Sequence, residues 1–440
     1  MKKVLSIALT AALCAVTLAA CGGGSTTATT AAPAATEAAT AAPAATAAPA
    51  ATEAPAATTA APAATEAPAT EAPSAGIPKD SLRIGFIFIG DENEGYTAAH
   101  YEGAKGMQQA LGLADSQILI KWQIPEDETC YDAAVDLADQ GCQIVFANSF
   151  GHEQYMMQAA EEFPDVEFCH ATGYQAASSG LENMHNYFTA VYESRYVSGV
   201  VAGLKLNQMI EDGKITADQA VMGYVGAFPY AEVISGYTSF FLGARSVCPT
   251  ATMKVKYVNS WADFALEKEA AQALIAAGCV LISQHADTTG APTTCEAAGV
   301  PIVGYNISMI ATAPTQALTS ASINWAPYVT FAVQCLIDGD PIPVDWCEGY
   351  ATGADRITEL NEAAVAPGTA EKVAEVEAAI KSGELKVFDT STWTENGQKL
   401  DSYVDDYGNE YIWDGYFHES ELASAPSFAI KIDGITDLTD

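Results

Sequence analysis

The segment from Arg83 to Gly112 constrains this chain more than any other, because it reads as a strand, a polar turn and a helix in immediate succession. Residues 83–89 are almost continuously apolar and rich in β-branched and aromatic side chains, the pattern of a strand buried on both faces of a parallel sheet. From 98 to 111 the positions Ala99, Gly103, Ala104, Met107, Ala110 and Leu111 recur mostly at intervals of three and four, and Gly112 follows as a C-cap, so a helix is expected. Between them, residues 90–97 are polar, glycine-flanked and tipped by Tyr96. In open α/β sheets ligands lie beyond the carboxyl ends of strands, where such loops sit. The same composition also suits an ordinary solvated loop. It does not suit a dinucleotide, because G-x-G-x-x-G is missing and carboxylates stand where a pyrophosphate needs bare N–H groups.

That unit repeats down the chain. Strands are expected over 118–122, 144–147 and 166–171, with helices over 131–138 and 153–162. The alternation then restarts with a helix over 194–206, strands over 221–225, 253–258, 280–284 and 302–305, and helices over 232–245, 262–277 and 293–298. Strands alternating with helices imply parallel, doubly wound sheets, and the restart implies two α/β lobes meeting near 187–192. Beyond Asn324 come a helix over 326–337 and an acidic tail with a helix over 371–381. The tail's aromatic cluster of Tyr407, Tyr411, Trp413, Tyr416 and Phe417 reads as a packing surface.

The first eighty residues are of another kind. Lys2 and Lys3 precede a mostly apolar run, 4–16, too short for an ordinary membrane span, followed by Leu18, Ala19, Ala20 and Cys21. This resembles a bacterial lipoprotein signal in which Cys21 receives the lipid. From Gly22 to about Gly76 the chain is Ala/Thr/Pro/Glu low complexity without a large apolar side chain, so an unfolded tether is expected, roughly 170 Å long if fully polyproline-like and about 40 Å as a loose coil. Across 440 residues, 55 acidic against 19 basic side chains give a net charge of −36, which excludes nucleic acid as a partner. A hydrophobic content of 49% is ample for a large core.

No P-loop, G-x-S-x-G, H-E-x-x-H or EF-hand pattern occurs, and the cysteines lack zinc spacing, so no cofactor, metal or catalytic group is expected. Cysteines such as Cys279 sit in apolar context and read as buried thiols, although the spacing leaves disulfides open. What recurs is an aromatic with polar neighbours in five loops after expected strands: Asn148, Ser149, Phe150, His152 and Gln154; Phe228; Asn259, Ser260 and Trp261; His285 and Asp287; Tyr305 and Asn306. A flat heteroaromatic ligand wants that set, with faces on rings and ring nitrogens on amides or carboxylates.

The pieces around Gly95–His100, Phe163–Phe168, His170–Tyr174, Tyr192–Tyr196, Gly243–Ser246, Asn259–Trp261, Gln284–His285 and Gly304–Asn306 resemble the basic membrane protein family of ABC-transporter substrate-binding lipoproteins, the purine nucleoside receptor group. The resemblance runs over about 82–340. It implies a type 1 periplasmic-binding-protein fold, two lobes joined by three crossings that close over a small ligand, and delivery to an ABC permease. It divides the chain into a signal peptide (1–20), a tether (21–78), lobe 1 (82–191 plus about 323–340), lobe 2 (192–322 plus about 341–365) and a C-terminal extension packed on the lobes (366–440). It further implies a monomeric, extracytoplasmic receptor held to the bilayer through Cys21. Carried over by position, Tyr96 and Trp261 stack the two faces of a purine with Phe228 beside them. Asp91 and Ser149 meet base nitrogens, Phe150 and Gln154 lie in the same loop set, and Asp287 and Asn306 hold the base edge or ribose. Many family members carry acids where this chain has Asn306, Ser308 and Gln154. A carboxylate grips vicinal hydroxyls better than an amide does, so a free nucleobase is expected to compete well with its nucleoside. A sugar on the same fold, or a surface enzyme acting on nucleosides, are the alternatives.

Overall fold

The computed structural model describes residues 76–405 and 407–439. The expected signal peptide, the lipidation site Cys21 and nearly all of the tether lie outside them.

The first half follows its sequence pattern in β1 (Ile84–Ile87), α1 (Gly95–Leu111), β2 (Ile118–Lys121), α2 (Glu128–Asp139), β3 (Ile144–Ala147), α3 (Glu153–Glu162) and β4 (Glu167–Ala171), and adds two elements that the pattern did not mark, the short α4 (Ala176–Ser179) and β5 (Met184–Thr189). Helix ends are set by local chemistry. The Glu94 carboxylate accepts from the N–H groups of Tyr96 and Thr97, Asp127 caps α2, and Gly112 ends α1 in the left-handed conformation. The second half contains α5 (Tyr192–Glu211), β6 (Val221–Gly226), α6 (Ala231–Val247), β7 (Thr252–Tyr257), α7 (Phe264–Ala276), β8 (Leu281–Gln284), α8 (Gly290–Ala298), β9 (Ile302–Tyr305) and β10 (Ala317–Ile323). Then come α9 (Ala326–Asp338), β11 (Asp345–Glu348), β12 (Asp355–Ile357), α10 (Thr369–Lys381), the hairpin β13 (Ile412–Trp413) and β14 (Tyr416–Phe417), and β15 (Ile435–Asp437).

Two sheets result. One is wholly parallel with order β11-β5-β4-β3-β1-β2; the other, β12-β10-β9-β8-β6-β7-β15, is parallel except for β12. The chain passes between them three times, from β5 to α5, from β10 to α9 and from β11 to β12. The expectation that 341–365 follows the second lobe as a block is corrected here: Asp345–Glu348 pairs in parallel with Asn186–Thr189 of the first sheet, and only β12 joins the second.

The second lobe is packed around α5 and α6, whose backbones touch. A Cβ added at Gly243 would lie 2.0 Å from the Tyr196 carbonyl oxygen, and one at Gly199 would lie 2.0 Å from that of Phe240. The C-terminal extension covers this lobe. Val373, Val376 and Ile380 of α10, with Phe388, Trp393, Phe417 and Phe428, form one apolar cluster with Val200, Tyr237 and Phe241. Of the tail aromatics, Tyr411 and Phe417 are buried, Trp413 and Tyr416 flank the His418 ring, and Tyr407 stands 91% exposed. The extension also reaches the first sheet, where the Asp345 carboxylate accepts from the Ser424 N–H at 2.6 Å and from its hydroxyl at 2.5 Å. The eight cysteines among the described residues are unpaired thiols, all buried except the half-buried Cys347.

Candidate ligand-binding site

Loops at the carboxyl ends of both sheets enclose one cleft of about 150 Å³. The first lobe contributes Gly90, Glu94 and Tyr96 after β1, Glu126 after β2, Asn148, Ser149 and Phe150 after β3, and Thr172 after β4. From the second come Glu232 at the start of α6, Trp261 after β7, His285 and Asp287 after β8, and Tyr305 at the end of β9. The lobes are closed on each other. A Cβ at Gly95, the first residue of α1, would stand 3.1 Å from the Asp287 carbonyl oxygen, so glycine permits this approach. At the mouth the Phe150 ring lies between Tyr174 and Tyr230, with centroids at 6.2 and 5.9 Å, and so joins the two lobes.

Five of the nine sequence-derived site residues line the cleft: Tyr96, Ser149, Phe150, Trp261 and Asp287. Tyr96 is fixed by its hydroxyl, which donates to the Asn148 carbonyl at 2.6 Å, and by edge-on contact with His100. The other four do not line it. Asp91 accepts from Asn93 in its own loop and from Gln123 after β2, and those bonds hold its carboxyl below the usual range. Gln154 is exposed on α3. Phe228 stands behind the wall, stacked on Tyr230 at 5.1 Å and edge-on to Trp261 at 5.2 Å. Asn306, with φ 65°, is buried beneath Asp287 and donates to its Oδ1 at 2.6 Å.

The wall residues that sequence reading did not single out are chiefly acids. Glu94 takes the place expected of Asp91, because capping α1 turns its carboxylate inward while Asp91 closes the preceding turn. Burial raises the Glu94 pKa. Asp287 is pushed well above the usual carboxylate range by burial and by the Glu94, Glu267 and Glu232 charges, against the pull of Asn306. Glu126 accepts from the Ser149 hydroxyl at 2.7 Å and from Gly151 N–H at 2.8 Å. Glu232 meets His285 Nε2 at 3.1 Å. Burial and the nearby Arg195 lower the His285 pKa to about 4, so this imidazole is neutral at pH 7. Arg195 itself is sealed under the site, its guanidinium 3.6 Å from the Tyr305 ring centre and Nη1 donating to the Gln284 carbonyl at 2.8 Å.

An interlobe cleft rimmed by strand-end loops, on two parallel sheets linked by three crossings, defines the class of two-lobed solute-binding proteins. A solved ABC transporter solute-binding protein from Conexibacter woesei DSM 14684 has the same architecture, with a TM-score of 0.57 at 21% identity, covering 69% of this chain and 98% of that one. The chain belongs to the PnrA-like ABC transporter substrate-binding protein family, Bmp, whose model matches residues 84–387. A purine-binding protein of Brucella abortus (strain 2308) is 34% identical over 332 residues, 73% of this chain and 89% of that protein. A Haloferax volcanii protein named for glucose binding in an ABC transporter is 28% identical over 339 residues, 76% of this chain and 81% of that one. The family consists of extracytoplasmic binding components rather than enzymes. Among the described residues no helix is long and apolar enough to cross a membrane.

Proposed function

We propose that this protein is the lipid-anchored receptor of an ABC importer, capturing a purine nucleobase or nucleoside between its lobes and handing it to a membrane permease. The observation that carries the reading is the pair Tyr96 and Trp261, contributed to one cleft by opposite lobes, with Ser149 and Asp287 lining the same cleft. Two rings from two lobes suit a flat heterocycle, because its faces are covered only when the lobes meet. The purine-binding relative supports the same reading. A sugar is the second reading: the glucose-named relative and the acidic wall both favour it, since hydroxyl groups also donate to carboxylates. In the proposed anchoring, Cys21 holds the lipid and the low-complexity stretch acts as a leash.

Thermal-shift and calorimetric titration with adenine, guanine, hypoxanthine, their nucleosides and glucose tests the proposal. A purine at a hundred times its Kd should stabilise the protein by about 2.7 kcal/mol. A shift with glucose and none with any purine would replace the purine reading by the sugar one.

A further inference from the structure

The cleft wall is lopsided in charge. Glu94 and Glu126 face it from one lobe, Glu232 and Asp287 from the other, and no lysine or arginine lines it. The nearest guanidinium, that of Arg195, is fully buried behind Tyr305.

The acceptor capacity of this wall is incompletely used. Glu126 spends Oε1 on Ser149 and Gly151, Glu232 spends Oε1 on His285, and Asp287 spends Oδ1 on Asn306; their second oxygens have no hydrogen-bond partner among the described residues. The Tyr305 hydroxyl, on a side chain 2% exposed, is buried without a partner at the same cleft. Carboxylates accept and do not donate, so what completes them is a set of N–H or O–H donors. These acceptors stand on both lobes. Closing the cleft therefore brings like charges together unless a ligand supplies donors to each side.

Resting on the purine reading above, we infer that the ligand is an uncharged or cationic heterocycle whose rim carries N–H donors at two separated edges, an amino-substituted purine, and that anionic relatives are excluded. One donor edge meets Glu126 of the first lobe. The other meets Asp287 and Glu232 of the second, so the donors themselves hold the lobes closed. A purine lacking amino groups leaves these oxygens without the donors it could supply, and an anion is repelled by the carboxylates of the wall.

Calorimetric titration at pH 7.5 of purine, adenine and 2,6-diaminopurine forms a ladder in which the ring is constant and the amino donors increase. Urate separates charge from donor count, being rich in N–H groups but anionic at this pH. The expected result is affinity rising at least tenfold from purine to 2,6-diaminopurine, with urate at least a hundredfold weaker than the latter. Glu232→Gln and Asp287→Asn, which keep shape but replace one acceptor oxygen by an NH2 donor, should each flatten the ladder, and Glu232→Gln should also reduce the discrimination against urate. Circular dichroism establishes that these variants are folded, and the wild-type ladder decides the matter without them. A flat or inverted ladder, or urate within tenfold of 2,6-diaminopurine, overturns the inference while leaving the purine reading intact. Absence of binding by all three ladder compounds overturns the inference, and the purine reading falls as well only if guanine, hypoxanthine and the nucleosides also fail to bind.

Discussion

Trp261 and Phe228 are in contact, yet they do different things. Trp261 lines the cleft, whereas Phe228 holds it from behind between Tyr230 and the indole. Trp261→Ala should therefore cost on the order of 1–3 kcal/mol of ligand binding, the worth of a lost stacking face, and Phe228→Ala clearly less in the same titration. Equal losses would move the stacking surface to Phe228. Position 306 lies behind the lining, and an acid there would replace Asn306, the donor to Asp287, by a second carboxylate under the wall. A third residue sets a pH response. Glu419 is 2% exposed, its Oε1 has no partner, and burial, aided by the charge of Glu232, raises its pKa from the ordinary 4.5 to about 7 against the hydrogen bond that Ser420 donates to its Oε2. Between those values the folded protein binds a proton that the unfolded chain has released. Stability should fall as pH rises from about 4.5 to about 7, by roughly 3 kcal/mol for this group, and then level off. Denaturant unfolding at pH 5 and pH 8 should show the difference, and Glu419→Gln should shrink it.

At the scale of elements, the glycines between α5 and α6 give the sharpest expectation. In Gly243→Ala the new Cβ would sit 2.0 Å from a backbone oxygen, so relief requires the helices to separate, and an overpacking cost of about 1–3 kcal/mol or more is expected in chemical unfolding. The α/β alternation was legible because most strands are apolar runs between amphipathic helices. Two of the strands that escaped reading, β5 and β10, bury polar side chains. β5 carries His185 and Asn186 fully buried, with His185 bonded to Glu167 and the Pro343 carbonyl, and Asn186 to Glu153 and Ala176. β10 buries Thr319, Ser320 and Ser322; Thr319 and Ser320 bond to Thr358, while Ser322 donates to the Asn306 carbonyl. Such partners come from distant segments, and no local periodicity announces them. The site divides in the same way. Aromatics after strands marked Tyr96, Phe150 and Trp261, whereas choosing Glu94 over Asp91 depends on which carboxylate caps a helix. Glu126 and Glu232 belong to no loop pattern at all.

The molecule as a whole has three bodies rather than two: each lobe, and an extension that packs on the second while gripping Asp345 of the first. All three lie after the low-complexity stretch, so membrane attachment and ligand capture should be separable. Cys21→Ser is expected to move the protein from the membrane fraction to the soluble one with its ligand affinity unchanged, as fractionation and titration would show. An altered affinity would mean that the leash touches the lobes.

β15 has a further consequence for behaviour in solution. It lies along β7, pairing Ile435 with Met253 and Asp437 with Val255, and so takes up the row of backbone groups that β7 would otherwise turn outward. β7 carries Lys254 and Lys256, and Lys254 is bonded to the Ala277 carbonyl at 2.7 Å. An uncovered border strand is a template for any other extended chain. Removal of residues 433–440 should convert a well-behaved particle into one that self-associates as its concentration rises, detectable by light scattering, even with the ligand cleft untouched. On this view β15 acts as a built-in stopper, keeping each copy from recruiting the next.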